Sequence, residues 1–461
     1  MKANTKKKFY LLIIPFILAA ILIACDTTTE NSSAPGGTSS SVSTSSSASG
    51  TSAEPSSEPD NVSTRTVSGI AVLVDGSDTL EKIGLYCDAF SAEAEVTVKG
   101  DKNVIDSLLS SDISAVIDVS TATEAGTSEF LVQYKAPDGV DIVSAQPLSA
   151  SVEIKKKDTT IIPPDNDKAY IGNRGILISG NRGMEQYGGT AKAGANTGAK
   201  VNQFKAALTE AGINVNVYAL CPPLASAFYA PSKYPNSIAN HKNCFGALAD
   251  SLVDVKYVDV LAALAGHVDE EIYARTDHHW NALGAYYAAQ QLARVAGTPF
   301  DDLSTFTSNS ESGYLGTLAT WSQAPELKNN PETFTWYIPS RAYTVEYSSK
   351  DKFTNTIYGK TLFSGAKGYT KFIYGDSYAT HIYSDLNTGR SLLLIKDSYG
   401  NALAPFLVGS YDHVYIVDSR EFKLNVKTFI TEYGITDVCL SMSAFAVTGD
   451  FMNKVNNMLN Y

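Results

Sequence analysis

The feature that most restricts the fold is a change of hydrophobic period partway along the chain. Between Val67 and Lys157 apolar residues recur at every second position, as in Ile70, Val72 and Val74, Val96 and Val98, Phe130, Val132 and Tyr134, and Val152 and Ile154. This alternation places one face of a strand on a core and the other in water. Turn signals at Asp75-Gly76 and Pro137-Asp138-Gly139 divide the runs, predicting a small antiparallel β domain over 66–157. Beyond residue 168 the strands become short continuous apolar runs: Ile176–Ile178, Val215–Leu220, Tyr257–Val260, Leu392–Ile395, Val414–Val417 and Val438–Met442. Helical periodicity over 199–211, 239–254 and 281–296 falls between them. Strands apolar on both faces, alternating with helices, predict an α/β domain over 169–461 whose parallel sheet is covered on both sides. The stretch 304–364, rich in Thr, Tyr and Trp, reads as a β-rich insertion near the site.

The N-terminus obeys other rules. Lys2, Lys6, Lys7 and Lys8 precede an unbroken apolar run from Phe9 to Ala24, which is short for a spanning helix of about 20 residues. The run closes on Leu22-Ile23-Ala24-Cys25, matching the bacterial lipobox, and so predicts a signal peptide over 1–24 with a lipid on Cys25. From Thr27 to Arg65 more than half of the residues are Ser or Thr and none is aromatic. Nothing there builds a core, so 25–65 is read as a spacer; 158–168, with Pro163-Pro164, is a second hinge. The chain has 36 Lys plus Arg against 48 Asp plus Glu, and loss of the four leader lysines takes the net charge from −12 to −16. Such a balance excludes a nucleic-acid binder, and it leaves the lipid as the membrane tether. Apart from Cys25, the cysteines are Cys87, Cys221, Cys244 and Cys439, with no C-x-x-C pair. A zinc site is not expected from them. Cys221 and Cys244 suit a disulfide or buried free thiols equally.

In open α/β sheets ligands gather beyond the carboxyl ends of the strands. Ser398 stands there, in Lys396-Asp397-Ser398-Tyr399-Gly400-Asn401 directly after Leu392–Ile395. Ser377, in Gly375-Asp376-Ser377, has a weaker upstream strand and no clear helix after it, so Ser398 is preferred. A nucleophilic Ser needs a base, and the base an orienting acid. Thr276-Asp277-His278-His279-Trp280 supplies both, because Asp277 and His279, two apart in an extended segment, project to one side and His278 points away. A metal reading of this cluster is weaker, since adjacent histidines do not easily chelate one ion and no H-E-x-x-H helix occurs. His241, His267, His381 and His413 stand alone and read as structural or surface residues.

Read together, these segments resemble known families. Thr276-Asp277-His278-His279-Trp280-Asn281-Ala282-Leu283-Gly284-Ala285-Tyr286 looks like the signature of the bacterial DHHW protein family, and Leu394–Asn401, Pro405-Phe406-Leu407 and Val417-Asp418-Ser419-Arg420 resemble its second block. That family is similar to SGNH-like alginate and peptidoglycan O-acetyltransferases, in which an Asp-x-His-Trp motif precedes the nucleophile, a permuted order relative to SGNH hydrolases. Earlier, Val96–Gly100, Val104–Leu108, Ala115–Val119 and Pro137–Val140 resemble a YbbR-like domain. The resemblance implies an SGNH-hydrolase-like three-layer domain with Ser398 as nucleophile, His279 as general base and acid, and Asp277 as orienting carboxylate. It further implies substrate or oxyanion contacts from Arg420, Asn401 and Trp280. Asp397 departs from the transferases' usual Thr before the nucleophile. Tyr286, Tyr287, Trp280 and Trp321 suit either a sugar cleft or the core.

The expected function is that of a surface lipoprotein acting as a serine O-acyltransferase or esterase on O-acetyl groups of cell-envelope polysaccharide, without cofactor or metal. Its partners would be that polysaccharide, the membrane through the lipid on Cys25, and a membrane-bound acyltransferase of the MBOAT class. The alternative is a non-catalytic envelope scaffold or polysaccharide-binding protein.

Overall fold

Hydrophobic pattern and turn chemistry place two separate cores along the chain. The computed structural model describes residues 61–156, 166, 168–349, 353 and 361–461. The leader, Cys25 and nearly all of the spacer, together with most of the 158–168 hinge, lie outside the described residues. No helix of the described residues is long and apolar enough to cross a membrane.

The first core belongs to a seven-stranded sheet built from Val62 to Lys156. Val72, Val96, Val98, Ile117, Val119 and Ile154, the inward members of the alternating runs, are fully or almost fully buried. Its pairs are antiparallel except one: Val72–Asp75 runs parallel to Ala115–Asp118. The sheet is therefore mixed rather than purely antiparallel. The helix Lys102–Ser107, capped by Asp101, accompanies the crossover that a parallel pair requires.

The second core fills the C-terminal part. From edge to edge its sheet runs Lys256–Val258, Asn216–Leu220, Asp437–Ser441, Ser391–Lys396, His413–Asp418, Ala379–Tyr383 and Thr344–Ser348. The first five strands are mutually parallel; Ala379–Tyr383 runs antiparallel to them, and Thr344–Ser348, paired antiparallel with it, runs in their direction again. Every residue of Ser391–Lys396 and Asp437–Ser441 is buried, as the continuous apolar runs require. Helices Ala191–Glu210 and Asn236–Ser251 pack against each other, and Ala282–Ala296 packs against the edge strand Lys256–Val258. The first of these starts earlier than its apolar period suggests, because Thr190 caps it by accepting from the Ala193 N–H. Ile176–Ile178 does not join the main sheet; Leu177–Ser179 pairs instead with Arg182–Met184 and Tyr170–Ile171. The expected β-rich insertion is a hairpin, Phe306–Tyr314 with Glu332–Pro339, with two short helices between its arms.

The two cores meet at the end of Ala282–Ala296. Gly297 closes this helix at φ 68°, and its carbonyl accepts from the Val74 N–H at 3.0 Å. Any Cβ at Gly297 would overlap the Val74 carbonyl oxygen, so chain direction and close approach both call for glycine there. Arg294 reaches Asp88 at 2.8 Å and lies over the Tyr86 ring.

Candidate active site

The Thr276–Trp280 segment is a tight bend rather than an extended run. Tyr273 and Trp280 form an antiparallel bridge, and the Asn281 N–H donates to Ile272 O at 2.9 Å, so the chain folds back on itself. Inside the bend Asp277 Oδ1 accepts from the His279 N–H at 3.1 Å and faces His279 Nδ1 at 2.7 Å. Its other oxygen, Oδ2, accepts from the Thr317 N–H at 2.9 Å and the Tyr314 hydroxyl at 3.1 Å. Burial opposes ionisation of Asp277, but the hydrogen bond and charge of His279, then His278 and the Thr317 N–H, outweigh it and hold the carboxyl well below its ordinary value. An ionised Asp277 accepts only, so His279 Nδ1 carries the hydrogen and Nε2 presents a lone pair.

That lone pair points at Ser398. Oγ of Ser398 lies 2.8 Å from His279 Nε2, joining residues 119 apart in the chain. Ser398 opens a 3-10 turn, Ser398–Leu403, directly after the strand Ser391–Lys396. Asp397 caps that turn, accepting from the Tyr399 N–H at 3.1 Å and from the Ser443 N–H at 3.0 Å. The residue that departs from the transferase pattern is thus a structural cap at this position.

His278 does not point away. The bend brings its ring within 3.7 Å of the His279 ring, and its Nδ1 lies 2.6 Å from Thr317 Oγ1. Burial first, then the neighbouring His279, pulls His278 down to about 4. The carboxylate and both imidazoles offer ligand atoms within 4.8 Å of one another, so sequence adjacency is no barrier to a shared ion once the chain bends. The hydrogen bonds from Asp277 through His279 to Ser398 already engage one carboxylate oxygen and both nitrogens of His279, and His278 Nδ1 is taken by Thr317.

The structure brings Asp277, His279 and Ser398 together and distributes the other predicted residues differently. Trp280 is fully buried, and its indole N–H donates to the Tyr399 carbonyl at 3.0 Å and the Tyr369 hydroxyl at 3.2 Å. It belongs to the core and has no face for substrate, which corrects the expectation. Tyr286 is also core, packed on Phe300 and Phe406. Trp321 is half-buried and stacks on His278 at 5.3 Å. Asn401 is buried one turn from Ser398, with Nδ2 donating to Asp376 at 2.9 Å. Arg420 is 45% exposed and bound to both Asp376 and Asp418. Between these acids lies Lys396, wholly buried, with Nζ 2.7 Å from Asp376 and 3.0 Å from Asp418. Two cations matched by two anions make this buried charge tolerable. Ser377 sits exposed on the outer turn while its neighbour Asp376 enters the network. Cys221 and Cys244 are buried free thiols, and Cys87 and Cys439 likewise.

Several contributing residues were not anticipated. Glu332 accepts from the N–H groups of Arg275 and Thr276 at 2.8 Å each and from the Thr276 hydroxyl, fixing the bend from behind. Tyr314 and Thr317 complete the Asp277 shell, and Tyr369 lies flat against His279. Glu185, half-buried after the strand Arg182–Met184, is pushed up to about 7 by burial and by the charge of Asp277.

Fold and site together define an SGNH-like α/β protein in which an Asp–His–Ser chain of hydrogen bonds crosses from a bent loop to a strand end. The chain belongs to the DHHW family. The family model, described as DHHW protein, matches residues 214–417. A DHHW family protein from Eubacterium siraeum is 35% identical over 64% of this chain and 98% of its own, with a TM-score of 0.59. PatB1 of Bacillus cereus, solved with a sulfonyl adduct, is 20% identical over 60% of this chain and 97% of its own, with a TM-score of 0.50, and shares the fold. A YbbR family protein from Desulfitobacterium hafniense is similar over 20% of this chain and 96% of its own, at 16% identity and a TM-score of 0.16. No curated protein matches the chain.

Proposed function

We propose that this chain is a serine-dependent O-acyltransferase or esterase of the cell envelope, acting on O-acetyl groups of polysaccharide through an acyl-Ser398 intermediate. The observation that carries the reading is the pair of hydrogen bonds in series, 2.7 Å from Asp277 to His279 and 2.8 Å from His279 to Ser398, with the carboxyl held ionised.

The steps follow from that geometry. Ser398 Oγ attacks the acyl carbonyl as its proton passes to His279 Nε2, and Asp277 stabilises the imidazolium across Nδ1–H. The tetrahedral intermediate collapses, the C–O bond to the donor breaks, and Nε2–H protonates the departing oxygen. An acceptor hydroxyl, from a sugar or from water, then gives its proton to Nε2 and attacks the acyl-Ser; expulsion of Ser398 Oγ restores the starting state. Arg420 is held at the site's edge by two carboxylates, and Asn401 retains one amide hydrogen beyond that given to Asp376; both are assigned to the substrate or oxyanion side. A lipid on Cys25 tethers the protein outside the cytoplasmic membrane, and an MBOAT-class membrane protein supplies acyl groups if transfer is the physiological reaction. The domain division into spacer, YbbR-like module and catalytic unit accompanies this reading.

The test is labelling with a serine-directed fluorophosphonate. An adduct on the wild-type protein that vanishes in Ser398→Ala and persists in Ser377→Ala is expected. No adduct, or an equal adduct in Ser398→Ala, points to an envelope scaffold instead.

A further inference from the structure

A single buried side chain touches the base, the residue after it and the backbone of the nucleophile. Tyr369 lies in the 3-10 turn Gly368–Lys371, far in sequence from both motifs. Its ring is parallel to that of His279, with centroids 3.7 Å apart and an interplanar angle of 2°. Its hydroxyl is 2.9 Å from the carbonyl oxygens of Ser398 and Tyr399, to which it donates, and it accepts from the Trp280 indole at 3.2 Å. The turn itself is anchored: Gly368 N–H donates to Glu311 at 2.7 Å, and Ser364 N–H donates to Lys371 O at 2.8 Å.

We propose that Tyr369 is a positioning residue of the acyl-transfer site, clamping the imidazole plane of His279 while fixing the main chain that carries Ser398. The inference rests on the acyl-Ser reading above. The hydrogen bonds at Nδ1 and Nε2 fix two points on the imidazole but leave the ring plane free to rock about the line joining them. A flat ring in contact with one face removes the rocking, and His278 at 3.7 Å and Tyr399 at 5.1 Å bound the remaining space. When His279 becomes an imidazolium the aromatic face meets a cation, a favourable arrangement where water is excluded. Burial holds the Tyr369 phenol well above its ordinary value, so it stays a neutral donor to the Ser398 carbonyl throughout.

The test compares Tyr369→Phe and Tyr369→Leu with wild type by fluorophosphonate labelling rate, by kcat and KM on a small acyl ester, and by thermal unfolding. Tyr369→Phe keeps the stack and loses the tie to the carbonyls; a fall in kcat of about tenfold is expected. Tyr369→Leu loses both, and a fall of about 100-fold or more is expected with KM within about twofold of wild type. Partial recovery from Leu to Phe separates the stack from mere space filling. Folded Leu and Phe variants with wild-type kcat overturn the proposal, as does a loss confined to KM. Should the Leu variant not fold, the near-isosteric Phe variant decides by the same kcat criterion. Absence of labelling in wild type sinks the acyl-Ser reading itself, a result distinct from a labelled wild type with indifferent Tyr369 variants.

Discussion

Glu332 and Thr276, 56 residues apart, are joined by two hydrogen bonds: the Glu332 carboxylate accepts from both the N–H and the hydroxyl of Thr276. It also accepts from the Arg275 N–H at 2.8 Å. The carboxylate thus satisfies the main chain immediately before Asp277, where a bent loop would otherwise bury bare donors. Glu332→Ala should destabilise the fold by about 2–4 kcal/mol and lower acyl-enzyme formation, because two or three buried donors lose their acceptor. Glu332→Gln, which keeps one carbonyl oxygen, should lie between wild type and Ala in both urea unfolding and labelling rate. Equal midpoints for all three proteins would refute the role.

Gly316 offers a steric test of the same loop. It lies against Asp277, and an added Cβ would overlap Cβ and Oδ2 of that residue. Its N–H donates to the Thr276 hydroxyl at 3.0 Å, so the backbone has little room to retreat. Gly316→Ala should displace the carboxylate and reduce kcat by about 100-fold, the cost typical of a misplacement near 1 Å. Wild-type kcat in this variant would mean that the loop yields freely.

Asp277→Asn removes charge with little change of shape. Both carboxylate oxygens face donors, His279 on one side and Thr317 with Tyr314 on the other. Whichever way the amide turns, its NH2 meets donors, and His279 is no longer held with its hydrogen on Nδ1. A fall in kcat of roughly 10³–10⁴-fold is expected, along with a loss of about 1–3 kcal/mol in stability. Preserved activity would remove Asp277 from the relay.

Sequence revealed most where the determining interaction is local. Asp277 and His279 are two residues apart, and Ser398 follows an unbroken apolar strand, so spacing and position were enough to single out three side chains that lie in hydrogen-bond contact. Their geometry was less legible. The extended segment that sent His278 away is in fact a bend, imposed by the Asp277 carboxylate accepting from the His279 N–H. Trp280 illustrates the converse error, since an aromatic next to a candidate-site His resembles a ligand platform until its N–H is traced into the core. Glu332, Tyr314, Thr317 and Tyr369 reach the site from the irregular 304–372 stretch, where residue types are common and no period marks direction. Gly375-Asp376-Ser377 did signal proximity to the site, though through its carboxylate and not its hydroxyl.

Glu185 makes the site's electrostatics measurable through stability. Burial, then the charge of Asp277, raises its carboxyl from 4.5 to about 7. A raised acid is favoured in the folded state when neutral. Its contribution is therefore complete below about 4.5 and is lost as pH rises through about 7. Glu185→Gln, which has no charge to bury, should match wild type near pH 4.5 and exceed it at pH 8 by about 1–3 kcal/mol. The relevant measurement is the difference in unfolding midpoint between the two proteins from pH 4.5 to 8.5. A difference that widens across this window, most steeply below pH 7, supports the shifted carboxyl beside Asp277, whereas a difference independent of pH would show that Glu185 ionises as it does in the unfolded chain.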